Sequence, residues 1–363
     1  MRLLSIHKCQ PGNVLARSVY AENGTVLVGS GVELTQRMID RLTQMNVTNL
    51  YIQDSRTADI QVEAPVSEAT RREAMGLIND AFRASSHSPQ KWQNMFADRQ
   101  FGRQIRQVLS QVQDELKGKN AAMNLLADAC AFDHYIFAHS FNVMLYSTAL
   151  ALKSDFGEKE LLEIGIGAML HDIGKMSIPD EVLKKPGRLT EEEFHVMKKH
   201  TEIGFEMLRR QEEIPLLAAH CAFQHHERLD GTGYPRGLKE GEIHPYAKLM
   251  AVCDVFDALT THRVYRAPML PHVAMEMLYT GAGTLFDKGF VERFRDTIAL
   301  YPLGLSVVLN TKESGVVVDY NKGTPSRPVV RILYDEHGQP VEPFEYDLSK
   351  RLHLMIVSCD DLF

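Results

Sequence analysis

Cysteine is scarce: Cys9, Cys130, Cys221, Cys253 and Cys359 are five in 363 residues, scattered and never in a C-x-x-C spacing. That argues against a disulfide framework and predicts reduced, mostly buried thiols. Cys221 and Cys253 are near candidate metal ligands in sequence, but each is read as a small buried hydrophobe. No run of about 18 uninterrupted apolar residues is present, which excludes a membrane-spanning helix. The Met1-Arg2 start lacks the apolar core of a secretion signal, so a cytoplasmic location is expected. A basic excess is missing too. With a net charge of -7, a general polyanion-binding face and a nucleic-acid partner are excluded, and any nucleotide must be held locally. Lys184-Lys185 and Lys198-Lys199 read as solvated faces.

Hydrophobic residues at 44% and charged residues at 24% are ordinary for a globular chain, and the length suggests two or three domains. Residues 1–64 read as a small α/β domain, with strand-like Val14 to Tyr20, Val26 to Val28 and Asn49 to Ile52 around an Asn23-Gly24 turn and a helix from Thr35 to Met45. Gln53 to Pro65 has no apolar periodicity and reads as a linker. Residues 65–119 read as a helical linker, Ser67 to Arg83 and Phe96 to Leu116, that connects domains or pairs subunits into a homodimer. Residues 120–302 are almost wholly helical, and 303–363 form a β-rich tail around Val307 to Leu309, Val316 to Val318, Val329 to Leu333 and Leu352 to Val357. The fold class expected is mainly α, with α/β and β-rich flanks.

Eleven of the fifteen histidines fall between His134 and His272, inside the helical region. His171-Asp172 ends a helix from Leu161 to Met169, with Gly174 as its terminator, and Lys175 follows within a turn. The Thr190 to Glu193 capping box starts a helix whose inward stripe carries His200, while His195 faces solvent. His139 lies on the inner face of a helix from Asp133 to Leu152. His225-His226 precede the glycine-rich Asp230-Gly231-Thr232-Gly233-Tyr234-Pro235. Asp254 and Asp257 share one side of an apolar helix that begins near Pro245. Taken singly, each imidazole reads as a hydrogen-bonded core residue, and the glycine loop as a tight turn. Buried carboxylates are costly unless cations neutralise them. Together, several helices that each carry an inward imidazole or carboxylate predict a shared metal centre, with Asp172 as its natural bridge.

The ordered set His139-Ser140-Phe141-Asn142-Val143, His171-Asp172-Ile173-Gly174-Lys175, His200 with Gly204, His225-His226-Glu227 through Tyr234-Pro235, and Asp254 to Thr260 resembles the HD-GYP phosphodiesterases over roughly Asn120 to Tyr301. The resemblance implies an all-helical HD-type metallohydrolase bundle that hydrolyses a cyclic dinucleotide, chiefly cyclic di-GMP, to linear pGpG or on to GMP. It implies His139, His171, Asp172, His200, His225, His226 and Asp254 as metal ligands, and Lys175 with Asp172 as catalytic groups. Lys175, Arg228, Asp230, Tyr234, Asp257, Arg263 and Arg266 are assigned to substrate contact, with Tyr265 inside the R-x-Y-R stretch. Three-metal members carry a glutamate where this chain has Tyr135, so two divalent ions are expected, iron or manganese, with zinc or nickel also compatible. The mechanism implied is attack by a hydroxide bridging two cations about 3.5 to 4 Å apart, with Lys175 and Arg266 stabilising the added charge. The competing readings are a cyclic-dinucleotide sensor, a module that docks diguanylate cyclases of the GGDEF type, and a phosphodiesterase for cyclic GMP-AMP.

Overall fold

The computed structural model describes the chain except residues 22–24, 46, 48, 63, 88, 98, 118–134, 262–268, 322–323 and 360–363. The amino-terminal unit contains strands β1 (Arg2–Ser5), β2 (Val19–Tyr20), β3 (Val26–Val28) and β4 (Asn49–Ile52), with helix α1 (Gln36–Gln44) before β4. Thr35 starts α1 by accepting a hydrogen bond from Met38 N at 3.3 Å. β1 pairs antiparallel with β4, placing Leu3 opposite Tyr51. The Asn23-Gly24 turn lies outside the described residues.

Helices then follow in order: α2 (Glu68–His87), α3 (Pro89–Ala97), α4 (Gln100–Lys117), α5 (Tyr135–Leu152), α6 (Glu158–Leu170), α7 (Asp180–Leu183), α8 (Glu191–Lys198), α9 (His200–Leu208), α10 (Leu216–Gln224), α11 (Pro245–Thr260), α12 (Pro271–Thr280) and α13 (Lys288–Thr297). α5 and α11 are apolar on nearly every side, and such helices have no face to offer water. They accordingly form the centre, burying Phe141, Val143, Met144 and Leu150 from α5 and Leu249, Met250, Val252 and Phe256 from α11. α5 packs on α6 and α11, α6 on α10, and α10 on α9. This chain of contacts draws separate stretches of sequence toward one point.

Two expectations about organisation change. α2 to α4 are no linker: Ile78, Phe82, Ile105, Val108 and Leu109 are fully buried in the same core as α5 and α6. Each such side chain contributes about 1.5–3 kcal/mol by leaving water. An amphipathic stripe announces that a helix buries one face, but not against what. The expected helix from Phe96 to Leu116 is likewise split, with α3 ending at Ala97 and α4 starting at Gln100.

The tail is an antiparallel sheet of β5 (Ser306–Leu309), β6 (Ser314–Asp319), β7 (Val329–Tyr334), β8 (Pro340–Asp347) and β9 (Ile356–Cys359), in the order β8-β7-β6-β5-β9. β8 was not expected, because as an edge strand exposed along most of its length it shows little apolar alternation. The two ends of the chain share a core. Leu3, Tyr51, Ile60 and Val62 pack with Leu305, Val307 and Val316, so the stretch read as a linker after Gln53 is seated on the tail. Leu3 N donates to Gly304 O at 2.9 Å, and Tyr51 Oη to Leu303 O at 2.9 Å.

Arg331 of β7 grips both Asp59 oxygens at 2.6 Å. This hydrogen bonding holds the Asp59 carboxyl down at about 2. A carboxyl depressed in the folded state contributes stability that is complete above its unfolded pKa of about 3.9 and fades as pH falls toward the folded value. Asp59 is largely exposed, so the contribution of the pair is at most about 1 kcal/mol. Asp59→Asn is therefore expected to lower denaturation midpoints slightly at pH 6, and the difference from wild type should vanish near pH 2.

Candidate metal centre

α5 contributes His139. The end of α6 and the 3-10 turn after it, Ile173–Ser177, contribute His171, Asp172 and Lys175. α9 opens on His200, α10 is followed by His225 and His226, and α11 carries Asp254 and Asp257. Thr190 caps α8 in a capping box with Glu193, and His195 is exposed, as the spacing predicts. The helix expected from Thr190 onward is interrupted at Lys199, which separates α8 from α9.

Asp172 is fully buried at the centre. Its Oδ1 lies 3.5 Å from His200 Nε2 and 3.7 Å from His225 Nε2. Its Oδ2 lies 3.5 Å from His139 Nε2, 3.4 Å from His171 Nε2 and 2.5 Å from Lys175 Nζ. Asp254 places Oδ1 3.1 Å from His139 Nε2 and Oδ2 3.5 Å from His226 Nδ1. Two sets of ligand atoms result: Asp172, His200, His225 and His226 in one, and His139, His171 and Asp254 in the other, each set within 4.8 Å of itself. Ligands about 2.0–2.2 Å from a common cation stand about 3 to 3.5 Å apart, as do His139 and Asp254 at 3.1 Å in one set and Asp172 and His200 at 3.5 Å in the other.

The rings are aimed from behind. His171 Nδ1 lies 2.8 Å from Ala168 O, His200 Nδ1 2.7 Å from Met197 O, and His225 Nδ1 3.1 Å from Cys221 O. His139 Nδ1 lies 2.7 Å from Asp257 Oδ2, while Asn142 donates to Asp257 Oδ1 at 2.9 Å. With Nδ1 so engaged as a donor, Nε2 of His171, His200 and His225 presents a lone pair inward, and Nε2 of His139 gains one when the ring gives up a proton. His139 Nε2, His171 Nε2 and Asp172 Oδ1 are buried without a hydrogen-bond partner among the described residues; His139 Nε2 makes none even with Asp254. Buried polar atoms left unmatched are costly, and a cation matches them all. The donor set suits a divalent metal site.

Electrostatics agree. Burial pushes His200 down to about 3 and carries His225 and His226 below their ordinary value, so these rings are neutral and able to ligate. Burial raises Asp172, but the neighbouring Lys175 charge overcomes it and holds the carboxyl well below the usual range. Burial likewise raises Asp254, and the neighbouring His139 ring, 3.1 Å away, outweighs that and holds the carboxyl well below its ordinary range. Burial lowers His139, yet Asp254 and Asp257 take it up to about 9, so a cation settling there displaces a proton. Cys221 and Cys253 are buried with their thiols pushed up by desolvation, so they remain neutral, and Cys9 is buried too. Cys130 lies outside the described residues.

Several assigned substrate contacts are placed differently. Asp257 is buried behind His139 and holds that ring, because one helical turn from Asp254 points it at α5 rather than at the opening. Asp257→Ala is expected to weaken divalent-metal affinity about 10- to 100-fold, read by metal titration of the purified chain. Asp230 accepts from Thr232 N at 2.9 Å and Oγ1 at 2.7 Å, shaping its own loop. Arg228 donates to the carbonyls of Glu227 and His225 and lies over the Phe286 ring. Tyr234 does face the site, its ring 4.7 Å from that of His226. Arg263, Tyr265 and Arg266 lie outside the described residues, as does the side chain of Tyr135.

Sequence reasoning quoted Glu227 in the motif without giving it a role; it is buried and accepts from Arg236 N at 2.8 Å and Leu238 N at 2.9 Å, clamping the glycine-rich loop. Asn142 was given no role either, although its place one turn after His139 was a usable signal. Gly174 does not terminate α6. A Cβ there would stand 2.0 Å from His200 O and 2.6 Å from Gly204 N, so its bareness lets the Lys175 turn touch α9.

The sequence pattern of the HD domain matches residues 103–289, and that of a KOW domain associated with the HD domain matches residues 306–362. A cyclic di-GMP phosphodiesterase of Pseudomonas aeruginosa is 30% identical over 336 residues, 87% of this chain and 81% of its own. One from Thermotoga maritima is 45% identical over 157 residues, 43% of this chain and 43% of its own. A 3'3'-cGAMP-specific phosphodiesterase of Vibrio cholerae is 38% identical over 156 residues, 43% of this chain and 30% of its own. The last two matches span less than half of those relatives. No described helix is long and apolar enough to cross a membrane. With the matched region taking in His139, His171-Asp172, His200, the paired histidines and Asp254, the chain belongs to the HD domain family, in its HD-GYP branch.

Proposed function

We propose that this chain hydrolyses a phosphodiester bond of cyclic di-GMP, giving linear pGpG, in a reaction that requires divalent metal. The observation that carries the reading is Asp172, whose two oxygens face two different groups of imidazoles. The activity named for the P. aeruginosa relative supports the substrate class. His139, His171 and Asp254 would hold one cation and His200, His225 and His226 a second, with Asp172 shared; such cations acidify a water and neutralise phosphate oxygens. Mixed imidazole and carboxylate donors suit iron, manganese, zinc or nickel better than magnesium or calcium, and the resemblance to the HD-GYP phosphodiesterases favours iron or manganese among them.

The remaining chemistry belongs to the chain. His226, with 17% of its side chain exposed while His139, His171, His200 and His225 are closed, marks the side from which substrate arrives. Lys175 sets an ammonium beside Asp172 to meet the charge that builds on the phosphoryl group. Tyr234, supported by His226, offers a flat face at the entrance. The test is product analysis of the purified, metal-assayed chain given cyclic di-GMP or cyclic GMP-AMP, with and without chelator. pGpG formation that chelation abolishes is expected, with about two metals per chain. Faster turnover of cyclic GMP-AMP would move the substrate toward that of the V. cholerae relative, and binding without product would make the chain a sensor.

A further inference from the structure

Beside the cluster, α8 presents an aromatic side chain that the fold does not use. None of its residues is buried, and Phe194 is 43% exposed. Phe194 meets Tyr234 edge to face at 5.9 Å, and Tyr234 lies against His226. Two ring contacts thus lead from the candidate metal centre to Phe194. Lys198, read from the sequence as part of a solvated face, instead sets its Nζ 4.6 Å from the Phe194 centroid and 5.5 Å from that of Tyr234. Beyond Phe194 an open cavity of about 390 Å³ is bordered by Leu189, Met197 and Arg188. Arg188 is exposed, and neither it nor Lys198 has a carboxylate partner among the described residues. Lys185, at the same cavity, is already neutralised by Glu193 at 2.6 Å.

An exposed ring with cations that lack counter-charges, in a chain of net charge -7, has the chemistry of a nucleotide subsite. The ring takes a base, and the cations take a phosphate. A cyclic dinucleotide bound with one phosphate at the metal centre must place its other nucleotide along one wall of the cleft. We propose that Phe194, Lys198 and Arg188 form the subsite for the nucleotide that is not cleaved, an inference that rests on the cyclic-dinucleotide reading above. Stacking accepts any base, so this wall contributes affinity and orientation and leaves the choice of guanine over adenine to other groups.

The test is steady-state kinetics of Phe194→Ala, Lys198→Ala and Arg188→Ala on cyclic di-GMP and on bis(p-nitrophenyl) phosphate, a diester with no second nucleotide, with metal content measured in each. For Phe194→Ala the KM for cyclic di-GMP should rise about 10-fold or more with metal content unchanged, the size expected for one lost base stack. Phe194→Trp should restore it, and the small diester should be cleaved at nearly the wild-type rate. If wild type cleaves cyclic di-GMP and the variants keep its KM, the subsite is refuted while the proposed function stands. Equal losses on both substrates would refute it too, by showing that α8 merely supports the metal centre. Failure of the wild type to cleave or bind any cyclic dinucleotide would remove both.

Discussion

Asp172→Asn is expected to lower turnover of cyclic di-GMP by about 10³-fold or more and to reduce bound metal at the same time. Asparagine keeps the volume of aspartate but replaces one anionic oxygen by a donor. Whichever way the amide turns, the NH₂ faces an imidazole group: His200 and His225 on one side, or His139 and His171 on the other. Neither orientation supplies two oxygens, so both ligand sets lose their shared member. Parallel metal analysis and rate measurements check this. A variant that kept its full metal complement and a rate within tenfold of wild type would show that Asp172 is not the bridge.

Lys175→Ala, by contrast, should separate the two readouts. Its ammonium lies 2.5 Å from Asp172 Oδ2 and donates to it, so it borders the ligand sets without offering a lone pair. Removing it should cost about 10²- to 10³-fold in kcat, the usual loss for one preorganised charge partner, while metal content stays near wild type. The 3-10 turn that carries it is pressed onto α9 through Gly174. Lys175→Met, which retains the buried stem, should lose as much as Lys175→Ala. If methionine restored the rate, the contribution would be packing, not charge.

How much of this was legible beforehand varies residue by residue. His139, His171, Asp172, His200, His225, His226 and Asp254 were all named from spacing and resemblance, and the fold brings them to one point. A side chain that must be buried and polar on an apolar helix betrays itself in the sequence, because few other reasons justify its cost. Asp257 was read as facing substrate although it holds His139 from behind. A one-turn spacing places two carboxylates on one side of a helix but leaves undetermined which neighbouring helix each meets. Glu227 was passed over because a carboxylate that clamps two main-chain N–H groups of its own loop has no periodic signature. Lys198 was read as solvent-facing because, although Phe194 stands one helical turn before it, nothing local places Tyr234 beside that ring.

From residue order alone came the mainly helical centre, the β-rich tail, the boundaries of α5 and α6 and the start of α11 to within a few residues, and the kinds of donor a metal would meet. These are local properties: periodicity, caps and the scarcity of buried polar groups act within one element. Left to the tertiary fold were the partition of ligands between Asp172 Oδ1 and Oδ2, the union of α2 to α4 with the central core, and the joining of both chain ends around Leu3, Tyr51 and Val307. Each depends on which surfaces meet. Apolar faces are interchangeable as far as burial is concerned, and only packing of the whole chain chooses among them.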